Sequence, residues 1–553
     1  QALHEVVCRH DSLRTTFEER DGQAIQVIQP ALSLELGRVD LRTVDEARRE
    51  AEAHRQVEQE MLRPFDLGRG PLIRTRLFML GEREHVLVVT MHHIVSDGWS
   101  LGVLIREVGA LYAAFSSGRP SPLPELPIQY ARYAAWQRGR LQGDVLARQV
   151  DYWKRKLAGA PPVLELPTDR PRPPERGIAG ATLAFTLSRS LTADLKALAQ
   201  REGASLYMVL LAGWQVLMAR YSGQQDISVG SPIAGRTRAE LEALIGFFVN
   251  TLVLRANVDG GLSFRKLLAQ VRETVLDAYE HQEVPFEKLV EVLQPERSRS
   301  HTPLFQTMLA LQNMPLGELR LPDLALQPVN VESPIAKFDL SVTFVEVPQG
   351  ISGTLEYSTE LFDAGTLQRM VSHLLTLLEG AVERPDTRVS RLPLLTAAER
   401  AQVVSAWNDT ALAVAWDGCF HECVETQAAL RPEALAVLDG TRQLDFAQLN
   451  ARANQLAHWL RQRGVGPEVR VALFVERSVE MVVAALGVMK AGGAYVPGPP
   501  NAWAGWRRTA TRAGCSPSGG SPGRSRRGSM CCAWMTPVRW RSWRGSRGRT
   551  RPA

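Results

Sequence analysis

Residues 92–98, His92-His93-Ile94-Val95-Ser96-Asp97-Gly98, constrain this chain more than any other stretch, because they join a run with the pattern of a strand to a run with the pattern of a helix. Val86 to Met91 is apolar and β-rich, and the alternating run Leu72 to Leu80 precedes it across Gly81-Glu82-Arg83-Glu84, so the two predict a hairpin. Beyond Gly98, the stretch Ser100 to Phe115 sets Val103, Leu104, Val108, Leu111, Tyr112 and Phe115 at helical spacing. Ser100 is the expected N-cap, with Gly118 and Pro120 as stop signals. Both histidines therefore fall on a short loop between a buried strand and a helix, where a rigid scaffold can hold a base and helix-start NH groups stay free.

Three readings of this loop compete. A metal site needs converging ligands, yet adjacent histidines at a strand end point to opposite faces, and no second His/Cys/Glu cluster with ligand spacing occurs, so no metal is expected. In the second reading one histidine packs in the core and Asp97 only caps or pairs. In the third the loop carries a general base. The spacing alone leaves the last two open.

Further motifs decide between them. The pattern HHxxxDG followed by Trp99-Ser100 resembles the signature of nonribosomal peptide synthetase condensation domains, relatives of chloramphenicol acetyltransferase. Cys8 to Phe17 is similar to that family's RHExLRTxF element. Tyr130 to Trp136 is similar to YxDFAxW, with an arginine at the usual aspartate. Ile245 to Thr251 with Arg255 matches IGxFVNTxxxR, His281 to Glu287 matches HQxxPFE, and Arg297 to Leu304 is a looser match to RxxSxxPL. Six elements in order cover roughly residues 1 to 385.

The resemblance implies an α/β fold of two chloramphenicol-acetyltransferase-like lobes in a V with a tunnel between them: residues 1–165 as the N-lobe, with the family's first strand missing, and residues 180–385 as the C-lobe. The proline-rich run Pro161 to Pro174 falls between them, Asp226 to Pro232 is expected as strand and turn, and residues 386–410 are a linker. The family also implies the reaction: the α-amine of a carrier-bound aminoacyl thioester attacks a carrier-bound acyl or peptidyl thioester. The substrates arrive on phosphopantetheine arms of upstream and downstream peptidyl carrier proteins, and no covalently bound cofactor is expected. His93 is the expected proton acceptor, and Gly98 offers its NH to the oxyanion. Asp97 is structural, paired to Arg14 first or Arg9 second. Asn250 lines the tunnel or caps a strand end, and His92 packs in the core. A heterocyclase would carry Asp at the first histidine and an epimerase departs from the Asp97 to Ser100 run, so condensation is favoured. A noncatalytic carrier-docking module and a nonfunctional pseudogene product are the alternatives.

From about Trp407 the chain resembles the start of an adenylation domain. Leu444 to Asn450 is similar to LTYxEL, and Met489 to Pro497 to LKAGxAYVP. Residues 411–497 thus read as an incomplete α/β adenylation stub. The family's phosphate loop, amine-orienting aspartate and late lysine are absent, as is a carrier serine, so no ATP site is expected. The helical stretches Phe446 to Arg463 and Val479 to Ala491 are expected to expose apolar faces.

The net charge of +6 suggests nucleic acid only until it is located. Residues 501–553 hold 12 arginines and no acid, leaving 53 basic against 59 acidic groups before them. That tail has five tryptophans, three cysteines and a single aliphatic β-branched residue, Val538, with no Leu, Ile or Phe. Residues 498–553 therefore read as an out-of-frame, disordered tail rather than an RNA-binding one, since they offer nothing to build a core. No nucleic acid and no membrane is expected. The 45% hydrophobic content, the absence of a spanning run or leader, and six irregularly placed cysteines fit a cytoplasmic protein.

Overall fold

The computed structural model describes residues 1–295, 298–312, 320–321, 324–327, 329, 334–413, 417–440, 442–498 and 530–531. It divides into two compact units, Gln1–Asp409 and Thr410–Ala553.

In the first unit the predicted hairpin forms: Ile73–Met79 pairs antiparallel with His85–Met91, in the register Ile73 to Met91 and Met79 to His85. Leu36–Asp40 adds in parallel on the far side of Ile73–Met79. The next helix runs Gly98–Ser116, and its N-cap falls three residues earlier than expected. Its N-cap is Asp97, whose carboxylate accepts from the Ser100 NH at 2.8 Å, so Ser100 lies inside the first turn. Gly118, at φ +68°, ends it as foreseen. Val103, Leu104 and Leu111 from this helix meet Val6 and Val7 of helix Ala2–Arg9, along with Leu13, Leu72, Ile73 and Val95, in one core.

A six-stranded sheet organises the remainder, in the order Gly180–Ser188, Gly350–Ser358, Leu340–Val347, Thr307–Gln312, Asp226–Ile233, Asn250–Asn257. Asp226–Ile233 continues as strand through Pro232, a residue expected in a turn. It pairs with Asn250–Asn257 along its whole length, but with Thr307–Gln312 only at Gly230, so the missing proline NH leaves no neighbour unpaired on that side. Helix Leu206–Ser222 buries every residue from Met208 to Met218 and forms the centre of the core beneath the sheet.

Helix Gly143–Leu157 falls within the sequence range of the N-lobe, yet its Val150, Trp153 and Leu157 are buried in the C-lobe core together with Leu164 and Leu166 of the proline-rich run. The stretch 386–410, read as a linker, packs against the first unit in two places. Val389 and Leu392 enter the same core, and helix Ala397–Val404 is tied back through Glu399, which faces His373 at 3.1 Å.

In the second unit, helices Phe446–Arg461 and Val479–Lys490 do not expose their apolar faces as expected. Leu456 and Leu460 pack with Ala484 and Val488 against Val471 and Leu473 of strand Arg470–Leu473. Gly487 allows the close approach, since a Cβ there would lie 2.6 Å from Leu456 Cδ2. Exposure falls instead on strand Ala494–Pro497, which pairs with Arg470–Leu473 in parallel. The tail expectation lies outside the described residues except for Gly498 and strand Met530–Cys531, which also pairs with Arg470–Leu473. Arg297 of the looser motif lies outside them as well.

Candidate active site

The hairpin delivers His92 and His93 to the end of strand His85–Met91, and a single 3₁₀ turn, His93–Val95, leads to Asp97. The two histidines diverge. His92 is half-buried, edge-on to Phe65 at 5.8 Å, with Nδ1 accepting from the Ile94 NH at 3.0 Å. Burial pushes its pKa down, and the nearby His93 and Lys337 add to that. His93 is exposed. Its ring meets the Phe247 ring edge-on at 5.2 Å, and no described residue hydrogen-bonds its nitrogens.

Asp97 is buried and fully engaged. One oxygen accepts from the Ser100 NH at 2.8 Å, the Ser100 hydroxyl at 2.7 Å and Arg236 Nη2 at 3.1 Å; the other accepts from the Phe248 NH at 3.0 Å. The arginine expected here is Arg14 or Arg9, and both are used elsewhere. Arg14 reaches Asp11 at 2.6 Å and the carbonyls of Val7 and Gln29, tying the first helix to the residue that follows strand Gln23–Ile28. Arg9 pairs with Glu107 at 2.9 Å. Burial pushes the Glu107 carboxyl up, but hydrogen bonds from His10 and Arg9 outweigh it, and the net shift is downward.

Arg236 does not stand out in the sequence. Its guanidinium is 1% exposed, caps the carbonyl of Leu244 at 2.9 Å and that of Leu241, and lies 4.0 Å over the Phe248 ring. Burial lowers its pKa and Asp97 opposes that. The local signal is Gly235: φ is +63°, and a Cβ there would fall 2.0 Å from the Phe248 carbonyl oxygen, so only glycine lets the chain turn tightly enough to aim Arg236 at Asp97.

Gly98 is the first residue of its helix, so its NH is among those a helix leaves unpaired at its start. A Cβ added there would meet no atom within 4 Å. The glycine is not needed for packing, and the space beside it is open. Asn250 sits at the start of its strand, donating to the carbonyls of Gln282 and Val284 at 2.9 and 2.7 Å and accepting from Phe286 NH at 3.0 Å. Since Pro285 is the N-cap of helix Phe286–Leu293 and has no capping side chain, Asn250 supplies that cap from across the fold. Asn250 also borders a cleft of about 170 Å³ shared with Tyr130, Trp136, Phe247 and Glu287. Among the described residues no group of three His, Cys, Asp or Glu side chains converges as a metal site would require.

The condensation-domain family matches residues 1–404. The chain belongs to that family. Residues 424–508 match the AMP-binding enzyme family, so that resemblance runs somewhat beyond Gly498, where it was expected to stop. One of the linear gramicidin synthase polypeptides of Brevibacillus parabrevis is 49% identical over 502 residues, covering 90% of this chain but 6% of its own length. The chain thus spans a small part of such relatives. Among solved structures, the X-domain from teicoplanin biosynthesis superposes with a TM-score of 0.64 at 30% identity, over 71% of this chain and 89% of that one. A holo four-domain nonribosomal peptide synthetase bound to AMP and glycine gives 0.67 at 26%, over 90% and 38%.

Proposed function

We propose that the first unit forms an amide bond between two carrier-bound thioesters, with His93 as proton acceptor. The observation that carries this is the contrast within one loop: Asp97, Ser100 and His92 are all held by protein partners, whereas His93 is exposed, with ring nitrogens that no described residue engages, beside the open start of helix Gly98–Ser116.

The chemistry asks little of a base and much of a scaffold. An α-amine of pKa about 7.7 to 8.0 is roughly 10 to 20% neutral at pH 7, so deprotonating it costs about 1 kcal/mol. A thiol of pKa about 8.5 leaves readily as thiolate. Holding the two thioesters at attack distance supplies roughly 7 to 11 kcal/mol, so positioning outweighs proton transfer. The amine nitrogen bonds to the thioester carbon, and His93 takes the proton that the nitrogen loses. The Gly98 NH faces the oxyanion, and collapse breaks the carbon–sulfur bond; the thiolate regains one proton, so that an amide and a free phosphopantetheine thiol result. The upstream and downstream peptidyl carrier proteins are the partners this requires.

His93→Ala should lower peptide formation from two loaded carrier proteins by roughly 10² to 10⁴ while the thermal transition stays in place. Unchanged product yield would overturn the assignment. It would favour the second reading, a docking module, for which the likeness to an X-domain also solved in complex with OxyB is the motive.

A further inference from the structure

The segment 245–248 belongs to the C-lobe in sequence, yet it is held by side chains of the N-lobe at every residue. Ile245 is buried in the N-lobe core; its NH reaches His10 Nδ1 at 3.3 Å and its carbonyl accepts from the Ser12 hydroxyl at 2.6 Å. The NH of Gly246 meets the Ser100 oxygen at 3.1 Å. The Phe247 carbonyl accepts from the Tyr130 hydroxyl at 2.8 Å, and burial, by pushing that phenol up to about 12, keeps it a donor. The Phe248 NH goes to Asp97. Gly246 leaves no slack, since a Cβ there would stand 2.3 Å from Tyr130. Four fixed backbone positions determine where one remaining group lies: the Phe247 side chain, half-buried, with its ring edge-on to His93.

We infer that Phe247 is a positioning and specificity-determining residue of the condensation site. Its ring fixes the plane of the His93 imidazole, which no hydrogen bond from the described residues orients, and it forms one wall of the space that His93 and Gly98 leave open. The clamp makes this wall rigid. An acyl or aminoacyl group approaching His93 is therefore limited in bulk on the Phe247 side, and removing the ring both loosens the base and relaxes the limit.

This inference rests on His93 being the proton acceptor, and the experiment separates the two. The full chain is assayed with loaded carrier proteins bearing small, aliphatic and aromatic acceptors, as wild type, Phe247→Leu, Phe247→Ala and His93→Ala. Phe247→Ala is expected to lower kcat for the preferred acceptor by roughly ten- to a hundredfold, as a displaced catalytic group does, and to shift relative rates toward bulkier acceptors. Phe247→Leu, which keeps most of the volume, is expected to lower kcat with the acceptor ranking retained and to move the His93 ring-proton resonances, which lose the ring current of Phe247. If both variants keep kcat within twofold, the acceptor ranking and the His93 resonances while His93→Ala is inactive, the role of Phe247 is overturned and that of His93 stands. If His93→Ala is active, the base reading itself falls and this inference falls with it. Should Phe247→Ala not fold, the Leu variant's kcat and His93 resonances decide alone.

Discussion

The buried pair of Asp97 and Arg236 shows what a residue pattern can and cannot convey. That Asp97 would be structural and paired to an arginine follows from the family resemblance; that the arginine lies 139 residues away does not, because nothing local encodes so distant a contact. Arg14 and Arg9 are nearer in sequence, but their own neighbours hold them. Removing one member of such a pair strands the other charge away from water. Arg236→Met should therefore cost roughly 3 to 5 kcal/mol of unfolding free energy in urea. The double variant Asp97→Asn/Arg236→Met should cost less than the sum of the two single changes, since the stranded carboxylate is gone. Additive costs would mean that the two groups act independently. His92 makes a different prediction. Its pKa is lowered by burial, so the folded chain binds fewer protons than the unfolded one between the lowered value and the ordinary 6.5. The stability this contributes is full above about pH 6.5 and is lost as the pH falls below it. His92→Gln should flatten the fall in melting temperature between about pH 6.5 and 5 while leaving His93 in place to act; an unchanged slope would remove His92 as its source.

At the scale of elements, those whose signal is local were legible. The hairpin Ile73–Met79 with His85–Met91 and the helix after Gly98 follow from alternation, helical spacing and a terminal glycine. The N-cap is Asp97 rather than Ser100 because either residue can cap, and the serine hydroxyl instead donates to Asp97 and accepts from the Gly246 NH. The lobe to which helix Gly143–Leu157 belongs was not legible, because its apolar face, Val150, Trp153 and Leu157, says that it is buried and not against what. Asn250 falls between these cases. A capping role was legible from its position at a strand end, but the group it caps belongs to another element, helix Phe286–Leu293. Asn250→Ala leaves the Phe286 NH and the carbonyls of Gln282 and Val284 without that partner. We expect a loss of about 1 to 3 kcal/mol and faster amide exchange at Phe286, with exchange on helix Leu206–Ser222 unchanged relative to global opening. Protection at Phe286 equal to wild type would show that the cap is redundant.

For the whole molecule, the question is what the second unit adds to the first. Its described part is an adenylation-domain beginning with a core of its own: Leu456, Leu460, Val471 and Val488 are all buried, and Lys490 of the LKAG-like element is 4% exposed and paired with Glu425. The Glu425 carboxylate that engages it is itself about half exposed, at 47%. Strand Ala494–Pro497 is exposed at all four residues, so the parallel sheet of this unit leaves apolar Tyr495 and Val496 facing solvent. The match to AMP-binding enzymes ends at residue 508. Adenylate formation stabilises a developing charge on transferred phosphorus, which calls for a backbone cradle and a cation placed for it. Neither is expected within residues 411–497. The full chain should accordingly show no amino-acid-dependent exchange of pyrophosphate into ATP with any standard amino acid, while still making product from carrier proteins loaded by another enzyme. Exchange above background that is lost on removing residues 410–553 would place a working phosphate site in the second unit and overturn this division of labour. Product formation only when ATP and free amino acid are supplied would do the same from the other side.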